Sequence, residues 1–158
     1  MYHMNPDIGT TEMSLAEQIS SLLGGDKVLK FKVRELEDFN TIIRAGIPIR
    51  AATSLMKISG ISQEELLKPL GISKATFIRK KKTPSTKLET VSSDRLYRIA
   101  YIVARTKEVF GNDEKAYRWL HKENRALNKE SPFSKLDTEV GFREVLDVLE
   151  RIEFGDYS

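Results

Sequence analysis

The chain has 158 residues, of which 40% are hydrophobic and 31% are charged, and its formal net charge is +3. This composition is typical of one or two folded domains and argues against a disordered chain. The sequence contains no cysteine, which excludes a disulfide scaffold, a cysteine-ligated zinc site and thiol catalysis. Neither a signal peptide nor a membrane span can be recognised, so we expect a cytoplasmic protein with no membrane association.

The helices are predicted from the spacing of apolar residues, beginning with a capping box at Ser14 and Glu17. This first helix ends at Gly24-Gly25, and residues 28–33 are an ambiguous run that could be extended. Further helices are predicted at about 34–44, 48–59, 63–70, 73–82 and 92–110. Another helix is predicted to begin after Asn112, and a last one to run from Thr138 to Gly155. Residues 82–89 are expected to form an exposed loop or a domain joint. The fold class is therefore all-α.

The charge is unevenly distributed along these helices. Residues 68–107 hold eleven basic and two acidic side chains, a net charge of +9. Residues 137–158 hold two basic and seven acidic side chains, a net charge of −5. The middle of the chain could therefore contact a polyanion and the end could contact a basic partner, although both segments could equally be solvated surfaces.

A helix-turn-helix motif is predicted where two short helices are joined through Gly71. Glycine suits this turn because the residue after the first helix takes a left-handed conformation. Candidate contacts to phosphates and base edges come from the second helix: Ser73, Lys74, Thr76, Arg79, Lys80 and Lys81. The alternative is an ordinary helical hairpin with a solvated basic face. Pro69 removes an N–H near the end of the first helix, which is expected to kink that helix or end it early.

The second half of the chain carries more distinctive motifs. They are Val109-Phe110-Gly111, Ala116-Tyr-Arg-Trp119-Leu120, Asn124-Arg-Ala126-Leu127, Ser131-Pro132-Phe133, Leu136-Asp137-Thr138-Glu139-Val140-Gly141 and Leu149-Glu150-Arg151-Ile152-Glu153-Phe154-Gly155. In order and spacing they resemble the Xre/MbcA/ParS-type antitoxins, as do the upstream segments Ala45-Gly46-Ile47-Pro48 and Leu70-Gly71-Ile72-Ser73. The resemblance covers roughly residues 35–158. Three sites depart from the family pattern: Lys74 where arginine is frequent, Phe77 in place of leucine, and Asn128-Lys129 in place of a glycine.

The resemblance implies an N-terminal extension over residues 1–30, an Xre-like helix-turn-helix domain over 31–88 and a small helical toxin-binding domain over 89–158. It implies an antitoxin of a type II toxin–antitoxin pair that forms a homodimer, binds operator double-stranded DNA and represses its own operon. The implied partner is a RES-domain toxin, a member of a family that consumes NAD. The end of the antitoxin is expected to block the toxin's active site.

The candidate toxin-binding residues are Trp119, Asn124, Glu150, Glu153, Phe154, Gly155, Asp156 and Tyr157. A core position is favoured for Trp119, and local backbone capping is the alternative for Asn124. The acidic and aromatic end of the chain could fill a basic nucleotide-binding cleft as a mimic of an anionic substrate.

An enzyme is disfavoured, because the chain has no glycine-rich phosphate loop and His121 has no evident triad partner. We therefore predict no catalytic residue, no cofactor and no metal. Two further alternatives are a stand-alone transcriptional regulator whose C-terminal half dimerises or senses a ligand, and a purely structural helical adaptor.

Overall fold

The structure is a computed structural model that describes residues 12–155, in which nine α-helices and two 3₁₀ turns are present and no strand is formed. The helices are α1 Leu15–Leu22, α2 Gly25–Leu29, α3 Asp38–Ala45, α4 Ile49–Ser59, α5 Gln63–Leu70, α6 Lys74–Lys81, α7 Thr90–Phe110, α8 Asp113–His121 and α9 Glu139–Glu153. The 3₁₀ turns, Arg125–Leu127 and Phe133–Lys135, lie between α8 and α9. The predicted all-α class is confirmed.

Helix α7 lies at the centre of the molecule and contacts α1, α3, α4, α5, α8 and α9. Its 21 residues bury apolar side chains on several faces, including Leu96, Ile99, Ile102 and Val103. Each side chain of this size stabilises the fold by about 1.5–3 kcal/mol when it is fully buried. Because these residues belong to one continuous apolar core, the helix-turn-helix and the C-terminal helices share a single packed interior.

The N-terminal helices belong to this core. The predicted capping box at α1 is formed: Ser14 Oγ accepts from the Glu17 N–H at 3.2 Å, and Glu17 Oε1 accepts from the Ser14 N–H at 2.9 Å. The extended conformation considered for residues 28–33 is not formed. Instead, α2 runs to Leu29 and ends at Lys30, whose φ of 57° is left-handed. A short apolar run fits either conformation, and burial of Leu29 is compatible with a helix here.

Helix α3 begins at Asp38, later than the predicted start near residue 34. The Asp38 carboxylate accepts from the backbone N–H groups of Arg34 and Glu35, both at 2.9 Å. These bonds hold the pKa of Asp38 below its ordinary value of 3.8. They also fold residues 34–37 into a turn that leaves Leu36 37% exposed.

The structure refines three expectations about the helix-turn-helix region. Pro69 does not end α5 early, because the helix continues to Leu70 and the proline is buried in its last turn. The loop between α6 and α7 is exposed along most of its length, at residues 82–85, Lys87 and Glu89, but Leu88 is buried. Its second part is tied to the start of α4, since the Ile49 N–H donates to Thr86 O and the Leu88 N–H donates to Ile47 O, both at 2.8 Å. The long helix also begins at Thr90, two residues earlier than predicted.

Within residues 12–155, no helix combines the length and apolar character needed to cross a membrane.

Candidate nucleic-acid and partner-binding surfaces

Helices α5 and α6 form the predicted helix-turn-helix, and the local sequence explains both helix starts. Ser62 Oγ accepts from the Glu65 N–H at 3.1 Å, and Glu65 Oε1 accepts from the Ser62 N–H at 3.0 Å, which completes a capping box for α5. Gly71 takes a left-handed φ of 71° in the turn. Ser73 Oγ accepts from the Thr76 N–H at 3.1 Å and donates to Thr76 Oγ1 at 2.9 Å, so Ser73 caps α6.

Helix α6 is held to the core by one residue, Phe77, whose exposed fraction is 0%. The other side chains of α6 point outward to varying degrees. Lys74, Arg79 and Lys81 are exposed, and Thr76 and Lys80 are half-buried. A helix with a single apolar anchor can lie on the surface of the domain and offer most of its circumference to a partner.

The surface around α6 is strongly basic. Between residues 66 and 88 the chain has seven basic residues and no acidic one. None of the seven makes an ion pair with any residue of the part of the chain that the structure describes. The three consecutive bases Arg79, Lys80 and Lys81 also suit the C-terminal end of a helix. Uncompensated positive charge of this density attracts a polyanion such as DNA.

Helix α7 supports the helix-turn-helix through the hydroxyls of buried Ser93 and half-buried Ser92, for which the sequence pattern predicted no such role. Ser93 Oγ accepts from the Ile47 N–H at 2.8 Å and donates to Leu88 O at 3.3 Å. Ser92 Oγ donates to Leu70 O at 3.1 Å, at the end of α5. Ser92 therefore ties the end of α5 to α7, and Ser93 ties the segments that precede α4 and α7 to each other.

The C-terminal half places its candidate residues in two groups. Trp119 is half-buried, and its ring lies 5.6 Å from the ring of Phe110 at the edge of the core. Asn124 is buried, and its Oδ1 accepts from the Ala126 N–H at 2.9 Å. The turn that follows needs left-handed φ values of 56° at Asn128 and 67° at Lys129. The geometry therefore supports the capping alternative for Asn124.

The second group lies at the end of α9. Glu150 is exposed, and Phe154 is 78% exposed immediately after the helix. Gly155 has a left-handed φ of 70°. Among residues 12–155, no hydrogen bond, ion pair or ring contact joins Trp119 or Asn124 to Glu150, Glu153 or Phe154. The predicted toxin-binding residues Asp156 and Tyr157 lie outside the described residues.

Glu153, by contrast, is already paired within the chain. Its Oε1 atom accepts from Arg105 at 2.7 Å, and this bond lowers the pKa of Glu153. Arg105 was not among the predicted site residues, because its partner is 48 positions away in the sequence. Gly141 was also missed as a structural requirement. A Cβ at this position would lie 1.9 Å from Lys135 O, so only glycine lets the second 3₁₀ turn approach α9 this closely.

Comparison with known proteins finds one family model that matches the helix-turn-helix region and another that matches the C-terminal region. The family model of the antitoxin Xre-like helix-turn-helix domain matches residues 38–101. The family model of the antitoxin Xre/MbcA/ParS C-terminal toxin-binding domain matches residues 105–155. The chain belongs to the Xre-type antitoxins. In this antitoxin the first match ends at residue 101 and the second begins at residue 105, both within α7, so the helix-turn-helix domain and the toxin-binding domain share one continuous helix.

Three curated relatives carry the same name, antitoxin Xre. The protein from Yersinia enterocolitica is 29% identical over 117 residues, which cover 73% of this antitoxin and 78% of the relative. The protein from Photorhabdus laumondii is 28% identical over 120 residues, covering 75% and 80% of the two chains. The protein from Pseudomonas putida is 40% identical over 63 residues, which cover 40% of each chain.

Proposed function

We propose that this antitoxin binds operator DNA through α6 and thereby represses its own operon in the cytoplasm. The observation that carries this proposal is the surface of α6, which has one buried anchor and exposed Lys74, Arg79 and Lys81, in a stretch of the sequence (66–88) that contains no acidic residue. Lysine and arginine can contact phosphates, and arginine can also read guanine in the major groove. The Ser73 hydroxyl donates to Thr76 Oγ1 and accepts from the Thr76 N–H. The hydroxyl proton of Thr76 is not used in this cap, so Thr76 can donate it to DNA.

The DNA contact is tested with the variant Arg79→Ala in a binding titration against the operator at two stated salt concentrations. Loss of a base contact is expected to weaken binding by about 1–3 kcal/mol. Loss of a phosphate contact is expected to reduce the slope of log affinity against log salt concentration by about one. Lys122→Ala is the matched control, since Lys122 is an exposed base of the C-terminal half. Unchanged affinity and unchanged slope for Arg79→Ala would contradict the placement.

The antitoxin is proposed to act on DNA as a homodimer. Dimers of helix-turn-helix proteins read two half-sites about 34–36 Å apart, so a palindromic operator is expected. Sedimentation of the free antitoxin and of its operator complex measures the stoichiometry. A monomer bound to a single half-site would contradict this part of the proposal.

The partner is proposed to be a RES-domain toxin that consumes NAD, and the end of the antitoxin is proposed to block the toxin's active site. This proposal is supported by the match of residues 105–155 to a toxin-binding domain and by the exposure of Glu150 and Phe154 at the end of α9. An exposed aromatic ring beside carboxylates can fill a cleft that binds an anionic nucleotide. Phe154 is the anchor, because a large aromatic side chain can bury much surface in a pocket.

The toxin contact is tested by deleting residues 154–158. The truncated antitoxin is expected to lose neutralisation of a toxin encoded beside it, measured as NAD consumption and as growth on coexpression, while operator affinity stays unchanged. Phe154→Ala should reproduce most of the loss. Tyr117→Ala is the matched control, because Tyr117 is also an exposed aromatic residue but lies on α8. Full neutralisation by the truncated chain would contradict the role of the tail.

A further inference from the structure

The last turn of α9 is held against α7 by an ion-pair cluster centred on Arg105. One guanidinium nitrogen donates to Glu153 Oε1 at 2.7 Å, and another donates to Glu108 Oε1 at 2.8 Å. The Arg105 side chain is only 12% exposed, so both pairs are partly shielded from solvent. The planar guanidinium suits this task because its fork of N–H groups can hold two carboxylates at once.

The cluster also reaches the N-terminal helix. Glu108 Oε2 accepts from Gln18 Nε2 at 3.0 Å, and the same Gln18 amide donates to Met13 O at 3.1 Å. Arg105 therefore contacts α9 directly and is braced by α1 through Glu108. These contacts leave the Arg105 side chain little freedom to move away from Glu153.

Without Arg105, the sequence at the end of α9 is unfavourable for a helix. The C-terminal end of a helix carries partial negative charge, and acidic residues in the last turn are destabilising there. Glu150 and Glu153 both occupy this region, and its one basic residue, Arg151, pairs with Asp147 at 3.2 Å. Arg105 offsets the charge of Glu153 and lowers the pKa of its carboxyl, so the last turn stays ordered up to the Phe154 N–H, which donates to Glu150 O at 3.1 Å.

We propose that Arg105 is a positioning residue for toxin binding: through Glu153 it fixes the last turn of α9 and thereby the direction in which Phe154 leaves the fold. The inference rests on the proposed role of the tail and changes the role of Glu153. That carboxylate holds the tail in place and does not itself contact the toxin. Binding a fixed tail costs less conformational entropy than binding a frayed one, so Arg105 should increase affinity without touching the partner.

The experiment compares Arg105→Ala, Arg105→Lys, Glu153→Ala and the double variant in the full-length antitoxin. Hydrogen exchange at the amides of residues 153–155 reports the order of the last turn, and a binding titration with the toxin encoded beside the antitoxin reports affinity. Arg105→Ala is expected to accelerate exchange there and to weaken toxin binding by roughly fivefold, with operator affinity unchanged. Arg105→Lys should restore part of both effects, and the double variant should bind no more weakly than Arg105→Ala.

Arg143→Ala is the matched control, because Arg143 pairs with Glu139 at 3.0 Å in the first turn of the same helix. It is expected to leave exchange at residues 153–155 and toxin affinity unchanged. Additive losses from Arg105→Ala and Glu153→Ala, or unchanged exchange in Arg105→Ala, would overturn the inference. It is also overturned if deletion of residues 154–158 weakens the toxin complex but Arg105→Ala does not. No effect of the deletion would instead refute the proposed role of the tail itself.

Discussion

The imidazole Nε2 atom of His121 lies 3.1 Å from the Oε2 atom of Glu65, so α8 touches the first helix of the helix-turn-helix. Glu65 uses its other carboxylate oxygen to complete the capping box of α5. The His121 ring is stacked between Tyr117 and Phe133, at centroid distances of 4.0 and 5.3 Å. The contact does not meet the criteria of a hydrogen bond, and it is an ion pair only when the His121 imidazole is protonated. Helix α8 thus contacts Glu65, the acidic member of the capping box that begins α5.

We expect this contact to couple the two halves weakly. A double-mutant cycle with His121→Ala and Glu65→Gln should give a coupling free energy of about 0.5–1 kcal/mol, measured by urea unfolding, since both side chains are partly exposed and screened by solvent. The coupling should decrease at high salt. The more exposed pair Arg118 and Glu114, at 3.6 Å, is the control and should show a smaller coupling. Equal coupling energies for the two pairs would contradict a specific contact at His121.

Phe77→Ala should destabilise the antitoxin by about 3–5 kcal/mol, because it removes the only fully buried side chain of α6 and leaves a cavity beneath the helix. Operator affinity should fall with it. Ile78→Ala is the control on the same helix, since Ile78 is 45% exposed, and it should change stability by about 0.5 kcal/mol or less. Urea unfolding of both variants gives the two values. Similar losses for the two variants would mean that α6 is held by contacts other than Phe77.

Gly141→Ala should be destabilising even though alanine normally favours a helix over glycine by about 0.5–1 kcal/mol. The new methyl group would collide with the carbonyl oxygen of Lys135, and backbone atoms cannot move aside as a flexible side chain can. We expect a loss of about 1–3 kcal/mol in thermal or urea unfolding. Val140→Ala, at a 72% exposed position of the same turn, is the control and should be nearly neutral. A stabilised Gly141→Ala variant would contradict the close approach.

Stability should fall in acid, and Asp38 should contribute to the loss. Backbone hydrogen bonds lower the pKa of Asp38 in the folded state, so its stabilising contribution is present above the unfolded-state pKa and is lost as the pH falls through the folded-state pKa. Urea unfolding between about pH 5 and pH 2 should therefore show a smaller decrease for Asp38→Asn than for the unchanged protein. Glu123→Gln is the control, an exposed acid that makes no ion pair within residues 12–155. The same pH slope in the unchanged protein and in Asp38→Asn would contradict this contribution.

The sequence by itself determined the features that depend on neighbours within one helical turn. Ser14 caps α1 as predicted, because a capping box joins residues only three positions apart. Gly71 takes the predicted left-handed conformation, because a backbone requirement at one position selects one residue type. The basic character of α6 could likewise be read directly from its composition.

Only the tertiary structure decided which distant residues meet. Nothing in local spacing pairs Arg105 with Glu153 or His121 with Glu65, because these contacts depend on how α7, α8, α9 and α5 pack around a common core. For the same reason the sequence left residues 28–33 ambiguous, since a short apolar run fits a strand or a helix, and residues 12–155 contain no strand with which it could pair. Local hydrogen bonding is encoded within a few residues, whereas the relative placement of helices results from the packing of the whole interior.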